Sequence, residues 1–368
     1  MKITISRQDL LDTVNRVKSV VSGKSALPIL SHILLETGPG QVRLAATDLK
    51  TTIETTVDCN VEKQGSVTVS AQRISSMLSE MPNEDITLHL TENNVIDIRC
   101  GKIQTKLFSL AAEEFPPVRG FDGIDSFTIE ENTLKRLFEK CSFAICTDQA
   151  RYNLTGMLFE LLRGKLTVVA TDGRRMSLAV EVEGIPMEAE AKVIIPSKAI
   201  HELERLLGGE GVCQVMLDES HAAFSFGRTR LVTAIIEGNF PNYEMVVPKK
   251  HDKEAVLDTA KFTEAMRRTR TMTSDKFNSV RVGLSDGFMS LKVVTPEVGE
   301  YQEELAVDYN GDNIEIAFNP EFVLDVLKHC NSDKVCLLLK DAQSPGVVKP
   351  YSDAPIDTYV NVVMPIRI

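Results

Sequence analysis

Apolar and polar residues alternate with a period of two along most of the chain, and short stretches with helical spacing interrupt the alternation. Three of these stretches are a strand running into an amphipathic helix: TISRQDLLDTVNRV (4–17), TIEENTLKRLFEKC (128–141) and LDTAKFTEAMRRTR (257–270). Leu10, Val14, Val17 and Val21, then Leu134, Leu137, Phe138 and Cys141, then Phe262, Ala265 and Met266 recur at the spacing of one helix face. Three more stretches end a strand in a helix cap: VTVSAQRISSML (67–78), VIIPSKAIHELE (193–204) and IAFNPEFVLDVL (316–327). Ser70, Ser197 and Asn319 are placed to accept from first-turn amides, and Pro320 suits a first turn, where its missing N–H costs nothing.

Between these landmarks lie pairs of alternating strands. LPILSHILLET with QVRLAATDLKTTIETTV (41–57) matches LTGMLFELL with KLTVVATDGRRMSLAVEV (165–182). The Ala-Thr-Asp triplet at 46–48 returns at 170–172, and a third pair, SVRVGLSDGFMSLKVV (279–294), keeps the pattern and the Asp286-Gly287 turn without the triplet. Phe115-Pro116 and Phe240-Pro241 close the first two copies. A period of about 125 residues is the size of a domain, far longer than a solenoid repeat. The fold class is therefore α+β, with three like domains at 1–121, 122–250 and 251–368, each holding two helices among about eight short strands.

Bulk properties narrow the class. No stretch nears the roughly 20 consecutive apolar residues of a membrane span, so no membrane association is expected. MKITISRQDL at the start of the sequence runs directly into strand and helix without a signal-peptide core. The seven cysteines are odd in number, form no CxxC pair and sit mostly among apolar neighbours. A reduced, cytoplasmic protein follows. The net charge of −11 argues against a surface that binds nucleic acid all over, but not against one basic face.

Catalytic signatures are not evident. There is no Walker A loop or GxGxxG after a strand, and the six histidines lack metal-ligand spacing, so no cofactor or metal is expected. Asp48 and Asp172 resemble repeated catalytic carboxylates, yet a Thr-Asp pair at a strand end more simply orders the following turn. Cations gather on the first helix of the outer copies: Arg7, Arg16, Lys18 and Lys24 against Asp9 and Asp12, and Lys261, Arg267, Arg268 and Arg270 against Glu264. Lys135, Arg136 and Lys140 of the middle copy are balanced by glutamates. Each helix alone reads as a solvated face. Three equivalent helices around an axis would make a weakly positive wall that touches phosphates without reading bases.

LPIL (27–30), GMLFE (156–160), ATDGRR (170–175), NFPNY (239–243), NPEFVLDVL (319–327) and the terminal VVMPIRI (362–368) occur in an order and spacing that resemble the bacterial β sliding clamps along essentially the whole chain. The resemblance implies a non-catalytic processivity factor. It implies a head-to-tail homodimer, a six-domain ring around double-stranded DNA, loaded by a clamp loader. It also implies capture of replicative and translesion polymerases and mismatch-repair proteins through short peptide motifs.

Carried over by position, the motif pocket would be walled by Leu154, Thr171, Gly173, Arg174, Arg175, Met176, Pro241, Val246, Phe277, Asn319, Phe322, Val362, Met364, Pro365, Ile366 and Arg367, with Arg175 and Arg367 meeting polar groups of the peptide. DNA contacts would fall on Lys24, Asp148, Tyr152 and Asn153, and Leu107 would meet Thr271 and Met272 of the partner chain. Two other readings stay open at this point: a hydrolase using Asp48 or Asp172, and a repeat protein that binds only peptides.

Overall fold

The computed structural model describes residues 1–21, 27–121, 123–188, 190–248, 250–274, 276–296, 298–352 and 358–367, with only the backbone of Asn93. Six helices are found among them: α1 (Arg7–Lys18), α2 (Ala71–Glu80), α3 (Glu131–Cys141), α4 (Ser197–Leu206), α5 (Thr259–Thr271) and α6 (Pro320–His329). Their apolar faces are those that the periodicity predicts. Leu10, Val14 and Val17 of α1, Leu134, Leu137, Phe138 and Cys141 of α3, and Phe262, Ala265 and Met266 of α5 are buried. Ser70 caps α2, accepting from the Arg73 amide at 3.5 Å, and Asn319 caps α6, accepting from the Glu321 amide at 2.9 Å. Ser197 differs from expectation: it is the first residue of α4, following Pro196, and its amide donates to the Thr155 carbonyl at 3.2 Å.

By packing, the chain forms two compact units, one from Met1–Lys135 and Lys198–Ile235, the other from Arg136–Ser197 and Ile236–Ile368. In the first, a five-stranded antiparallel sheet runs Asn60–Lys63, Lys2–Ser6, Asp85–Leu90, Val95–Cys100, Ile103–Phe108. An eight-stranded sheet runs Ser126–Glu130, Val212–Leu217, His221–Phe226, Thr229–Ala234, Thr51–Asp58, Gln41–Thr47, His32–Gly38, Ser66–Ser70. In the second unit an eight-stranded sheet runs Ala191–Pro196, Gly156–Leu161, Leu166–Thr171, Arg175–Glu181, Tyr359–Val363, Gly346–Pro350, Lys334–Leu339, Lys253–Asp258. A four-stranded sheet runs Gly299–Ala306, Phe288–Thr295, Val280–Ser285, Ile314–Phe318.

Each eight-stranded sheet is thus two four-stranded sheets from successive sequence copies, fused along one ladder. Thr229–Ala234 pairs with Thr51–Asp58, putting Leu231 opposite Ile53, and Tyr359–Val363 pairs with Arg175–Glu181, putting Val362 opposite Met176. Fusion satisfies backbone donors and acceptors that would otherwise line two open edges. The first ladder is tied further by buried hydroxyl pairs, Thr51 with Thr233 at 3.2 Å and Thr55 with Thr229 at 3.1 Å. A second feature recurs in all three copies. The chain beyond each copy's last strand returns to bond the strand ahead of its second helix: Thr68 N–H to Leu110 O (3.3 Å), Ile236 N–H to Ile194 O (2.8 Å) and Ile366 N–H to Ala317 O (2.8 Å).

The Thr55–Thr229 pair is a test of the ladder's polar interior. Thr229→Val leaves the Thr55 hydroxyl buried without its partner and is expected to destabilise by about 1–3 kcal/mol. Thr55→Val with Thr229→Val removes both groups and should cost less than either single change; urea midpoints of the three variants measure this.

Candidate functional site

The repeated Thr-Asp turn explains itself in hydrogen bonds. Asp48 Oδ1 accepts from the amides of Lys50 (3.0 Å) and Thr51 (2.7 Å), and Asp172 Oδ1 from those of Arg174 (2.8 Å) and Arg175 (3.0 Å). Thr47 Oγ1 accepts from the Leu49 amide and Thr171 Oγ1 from the Gly173 amide, both at 3.0 Å. The position between is left-handed in both turns, at φ 76° for Leu49 and 82° for Gly173. These carboxylates are turn formers, and Asp48 is further paired with Lys198 at 2.6 Å. A carboxylate saturated in this way is poorly placed as a nucleophile or base.

The second turn is the floor of an open groove of about 520 Å³, lined by Leu154, Thr171, Gly173, Arg175, Met176, Phe240, Pro241, Tyr243, Val246, Val362 and Met364. Nine of these are positions that the resemblance placed there. Beneath them lies a buried cluster of Leu154, Leu158, Val169, Met176, Ile194, Ile236, Phe240, Tyr243 and Val362, so the walls rest on core and not on loops alone. Met364 stands 39% exposed at the rim, with its amide donating to the Arg174 carbonyl at 2.8 Å. A flexible thioether at an apolar rim can adapt to different incoming side chains.

Phe240 and Tyr243 were absent from the expected walls. Their signal was the NFPNY segment itself, which marked the end of the second copy and the family resemblance but gave only Pro241 to the expected walls. Tyr243 is held by its phenol, which donates to Glu160 Oε2 at 2.5 Å, while Lys192 meets the other oxygen of Glu160 at 2.6 Å. Burial tends to raise the Glu160 carboxyl, but the hydrogen bonds from Lys192 and Tyr243 outweigh it and hold the group below its ordinary value. Burial, with the Glu160 carboxylate, pushes the Tyr243 phenol up, so it stays a neutral donor.

Arg175 departs from its expected role as a ligand for peptide carbonyls or carboxylates. Its Nε meets Asp172 at 3.2 Å, one terminal nitrogen pairs with Asp325, and the other donates to the Phe143 carbonyl at 2.9 Å. The guanidinium also lies 4.7 Å from the Phe322 ring centroid and 5.4 Å from that of Phe143. Arg175 therefore forms wall. Each of its three nitrogens donates to a partner within the protein.

The remaining expected positions are not among the residues lining this groove. Arg174, Phe277 and Arg367 are exposed, and Pro365 and Ile366 are half-buried. None of these five lines the groove, nor does Phe322 or the helix cap Asn319. Of the expected duplex contacts, Lys24 lies outside the described residues. Tyr152 is 47% exposed, and Asp148 pairs with Arg151 at 3.5 Å. Asn153 does not offer its amide outward but donates to the Asn239 carbonyl at 2.8 Å. Leu107 and Met272 are half-buried and Thr271 is exposed.

Charge on the helices is sparser than the residue types suggest. In α3, Arg136 pairs with Glu181 at 3.2 Å, Lys135 donates to the Leu207 carbonyl at 3.0 Å, and the Lys140 ammonium sits 4.9 Å over the Tyr359 ring. In α5, Arg268 is paired with Glu303. Arg16, Lys261, Arg267 and Arg270 are exposed and have no carboxylate partner among the described residues. Also among the described residues, no group of three or more His, Cys, Asp or Glu could hold a metal, and no helix is long and apolar enough to cross a membrane.

Comparison with known proteins agrees with this geometry. The N-terminal, central and C-terminal domain models of the DNA polymerase III beta subunit match residues 1–119, 128–242 and 244–367. The beta sliding clamp of Pseudomonas aeruginosa is 34% identical over 370 residues, covering 100% of both chains. The crystal structure of a sliding clamp from Pseudomonas aeruginosa bound to griselimycin superposes with TM-score 0.95 at 34% identity, again over 100% of both chains. That of a sliding clamp from Bartonella birtlesii, also bound to griselimycin, gives 0.95 at 30% identity over 100% of both. With all three domain models matched in order along the chain, the protein belongs to the DNA polymerase III beta subunit family, the bacterial β sliding clamps.

Proposed function

We propose that two copies of this chain close head to tail into a six-domain ring around duplex DNA, in the cytoplasm, and that the groove captures peptide motifs of proteins working on that DNA. The family gives the class: a DNA sliding clamp, the non-catalytic processivity subunit of a DNA polymerase holoenzyme, with DNA and polymerases as partners. The ring, its loading by a clamp loader, and the identity of translesion polymerases and mismatch-repair proteins as clients are the further reading.

Strand order carries the ring. Each copy holds a three-strand meander (His32–Gly38, Gln41–Thr47, Thr51–Asp58; Gly156–Leu161, Leu166–Thr171, Arg175–Glu181; Val280–Ser285, Phe288–Thr295, Gly299–Ala306). Twice within the chain, the final strand of one copy pairs with the last meander strand of the copy before it. Thr229–Ala234 meets Thr51–Asp58 in this way, and Tyr359–Val363 meets Arg175–Glu181. The same rule leaves two strands over: Ile103–Phe108, final in the first copy, and Gly299–Ala306 in the third, each at a sheet edge. Within one chain the rule has no further pair to make. A second chain supplies one, and a heterologous contact of this kind closes when its rotation completes a circle. Exposed apolar residues on the first edge, Ile103 (43%) and Phe108 (88%), suit burial on pairing. The domains are then the copies, 1–121, 122–250 and 251–368.

The groove reading is supported by chemistry. An apolar trough with adaptable methionine at its rim fits Leu or Phe anchors, each worth roughly 1.5–3 kcal/mol when buried. For the duplex, exposed Arg16, Lys261, Arg267 and Arg270 offer phosphate contacts without any base-reading geometry, and Lys24, Asp148 and Tyr152 remain proposed contacts.

Protein loaded on closed circular duplex should stay through gel filtration and run off once the circle is cut; equal loss from circle and linear DNA would refute topological holding. Leu107→Asp, a change at a half-buried edge position, should convert the dimer to monomer in sedimentation while leaving helix content unchanged. Deleting residues 364–368 should weaken binding of a polymerase-derived peptide by about tenfold or more, since Met364 leaves the groove. The dimer should survive that deletion, and unchanged peptide affinity would contradict the groove.

A further inference from the structure

One short segment touches both sides of the groove. Gln149–Leu154 is a 3-10 segment, capped by Asp148, whose regular course breaks at Arg151 (φ −108°, ψ 58°). From this break the Arg151 side chain reaches the floor turn, its Nη1 donating to the Asp172 carbonyl at 2.7 Å. Two residues on, Asn153 Nδ2 donates to the Asn239 carbonyl at 2.8 Å, next in sequence to the lining residues Phe240 and Pro241, referred to below as the wall. Leu154 itself lines the groove. The residue between the two donors, Tyr152, turns outward and is 47% exposed.

Arg151 approaches its attachment point closely, and the glycine beside each attachment point has a positive φ. A Cβ added to Gly173, whose φ is +82°, would meet Arg151 Nη1 at 3.0 Å. Gly238, at φ +119°, faces the Asn153 Cβ, 3.9 Å from where its own Cβ would stand. Neither donor is needed for chain continuity, since the turn at 172–175 is already closed by Asp172 and Thr171. What the two side chains add is a fixed distance between floor and wall.

We infer that Gln149–Leu154 is a strut that couples duplex contact to the peptide groove, with Arg151 and Asn153 as its positioning residues and Tyr152 as its outward face. The inference rests on the groove and duplex-contact readings proposed above. A peptide entering the groove must order its walls, and that ordering opposes binding. Duplex resting on Tyr152 restrains the segment, and through two hydrogen bonds restrains floor and wall together. Part of the ordering is then complete before the peptide arrives, which makes the second binding tighter. Reciprocity follows: bound peptide lengthens the residence of Tyr152 on the duplex by the same factor.

The test uses the full-length protein and a fluorescent peptide with Leu and Phe anchors from its own polymerase. The Kd is measured on free protein and on protein loaded onto nicked circular duplex. Tighter binding on DNA, by about 3–10-fold, is the expected result. Asn153→Asp, which replaces the donating nitrogen with oxygen, and Arg151→Ala should each bring the ratio to about one. Arg151→Lys keeps a donor for the Asp172 carbonyl and should retain it, an outcome that general destabilisation would not give. Equal Kd on and off DNA for the unsubstituted protein overturns the inference, and so does a ratio that survives both Asn153→Asp and Arg151→Ala. Peptide that binds neither form overturns the groove reading and the strut with it, whereas peptide that binds both forms equally overturns the strut alone.

Discussion

The structure depends on a backbone constraint: a strand at the edge of a sheet carries donors and acceptors that need partners. Each copy of the repeat makes two small antiparallel sheets, and its final strand and the last strand of its three-strand meander both lie at sheet edges until something pairs with them. Pairing final strand to neighbouring copy turns a liability into the joint. Each seam bonds five residue pairs across its ladder. At roughly 1 kcal/mol net per hydrogen bond, a seam contributes a few kcal/mol before side chains are counted. Side chains then give each seam its own character. Hydroxyl pairs and the Arg230–Glu54 ion pair (3.1 Å) mark the first, and apolar Met176, Val360 and Val362 mark the second.

A joint made of backbone also explains why the repeat was legible while the joints were not. Helix faces and alternating strands are local, and the residues that signalled them, such as Leu134, Phe138 and Cys141 or Phe262 and Met266, are buried as their spacing demands. The Thr-Asp triplet was legible for a similar reason, because its hydrogen bonds close within four residues. Which strand of one copy meets which strand of the next is a statement about residues up to 188 positions apart, as between Val363 and Arg175. Periodicity does not contain it. Ser197 shows the limit at small scale: Ser after Pro196 has the residue type of a cap, but the chain enters the helix one residue earlier.

The groove was legible in part, and its gaps have one cause. Positions lining it by their own side chains, from Leu154 to Met364, follow from resemblance and apolar type. What holds those positions does not. Arg175 looked like a hand extended to a ligand, because Arg is a strong bidentate donor. Only the fold reveals that Asp325, 150 residues away in sequence, and the Phe143 carbonyl already occupy it. Tyr243 looked like part of a boundary mark, and only the fold brings Glu160 to its hydroxyl. Polar residues in this site therefore serve the apolar ones, fixing where the hydrophobic surface lies.

The same economy governs the charges. A protein that had to hold DNA by affinity would need many unpaired cations, and its binding would fall steeply with salt. Here the cations of α3 are engaged by Glu181, the Leu207 carbonyl and the Tyr359 ring, and Arg268 of α5 by Glu303. Arg16, Lys261, Arg267 and Arg270 stay exposed without a carboxylate partner among the described residues, so such a surface offers a few phosphate contacts and not a dense basic grip. It is suited to contact that forms and breaks as the duplex moves, provided that something else prevents escape. In the ring proposed above, that something is closure through backbone ladders, so weak contact and firm retention are compatible: the first would let the protein slide, and the second would be supplied by topology.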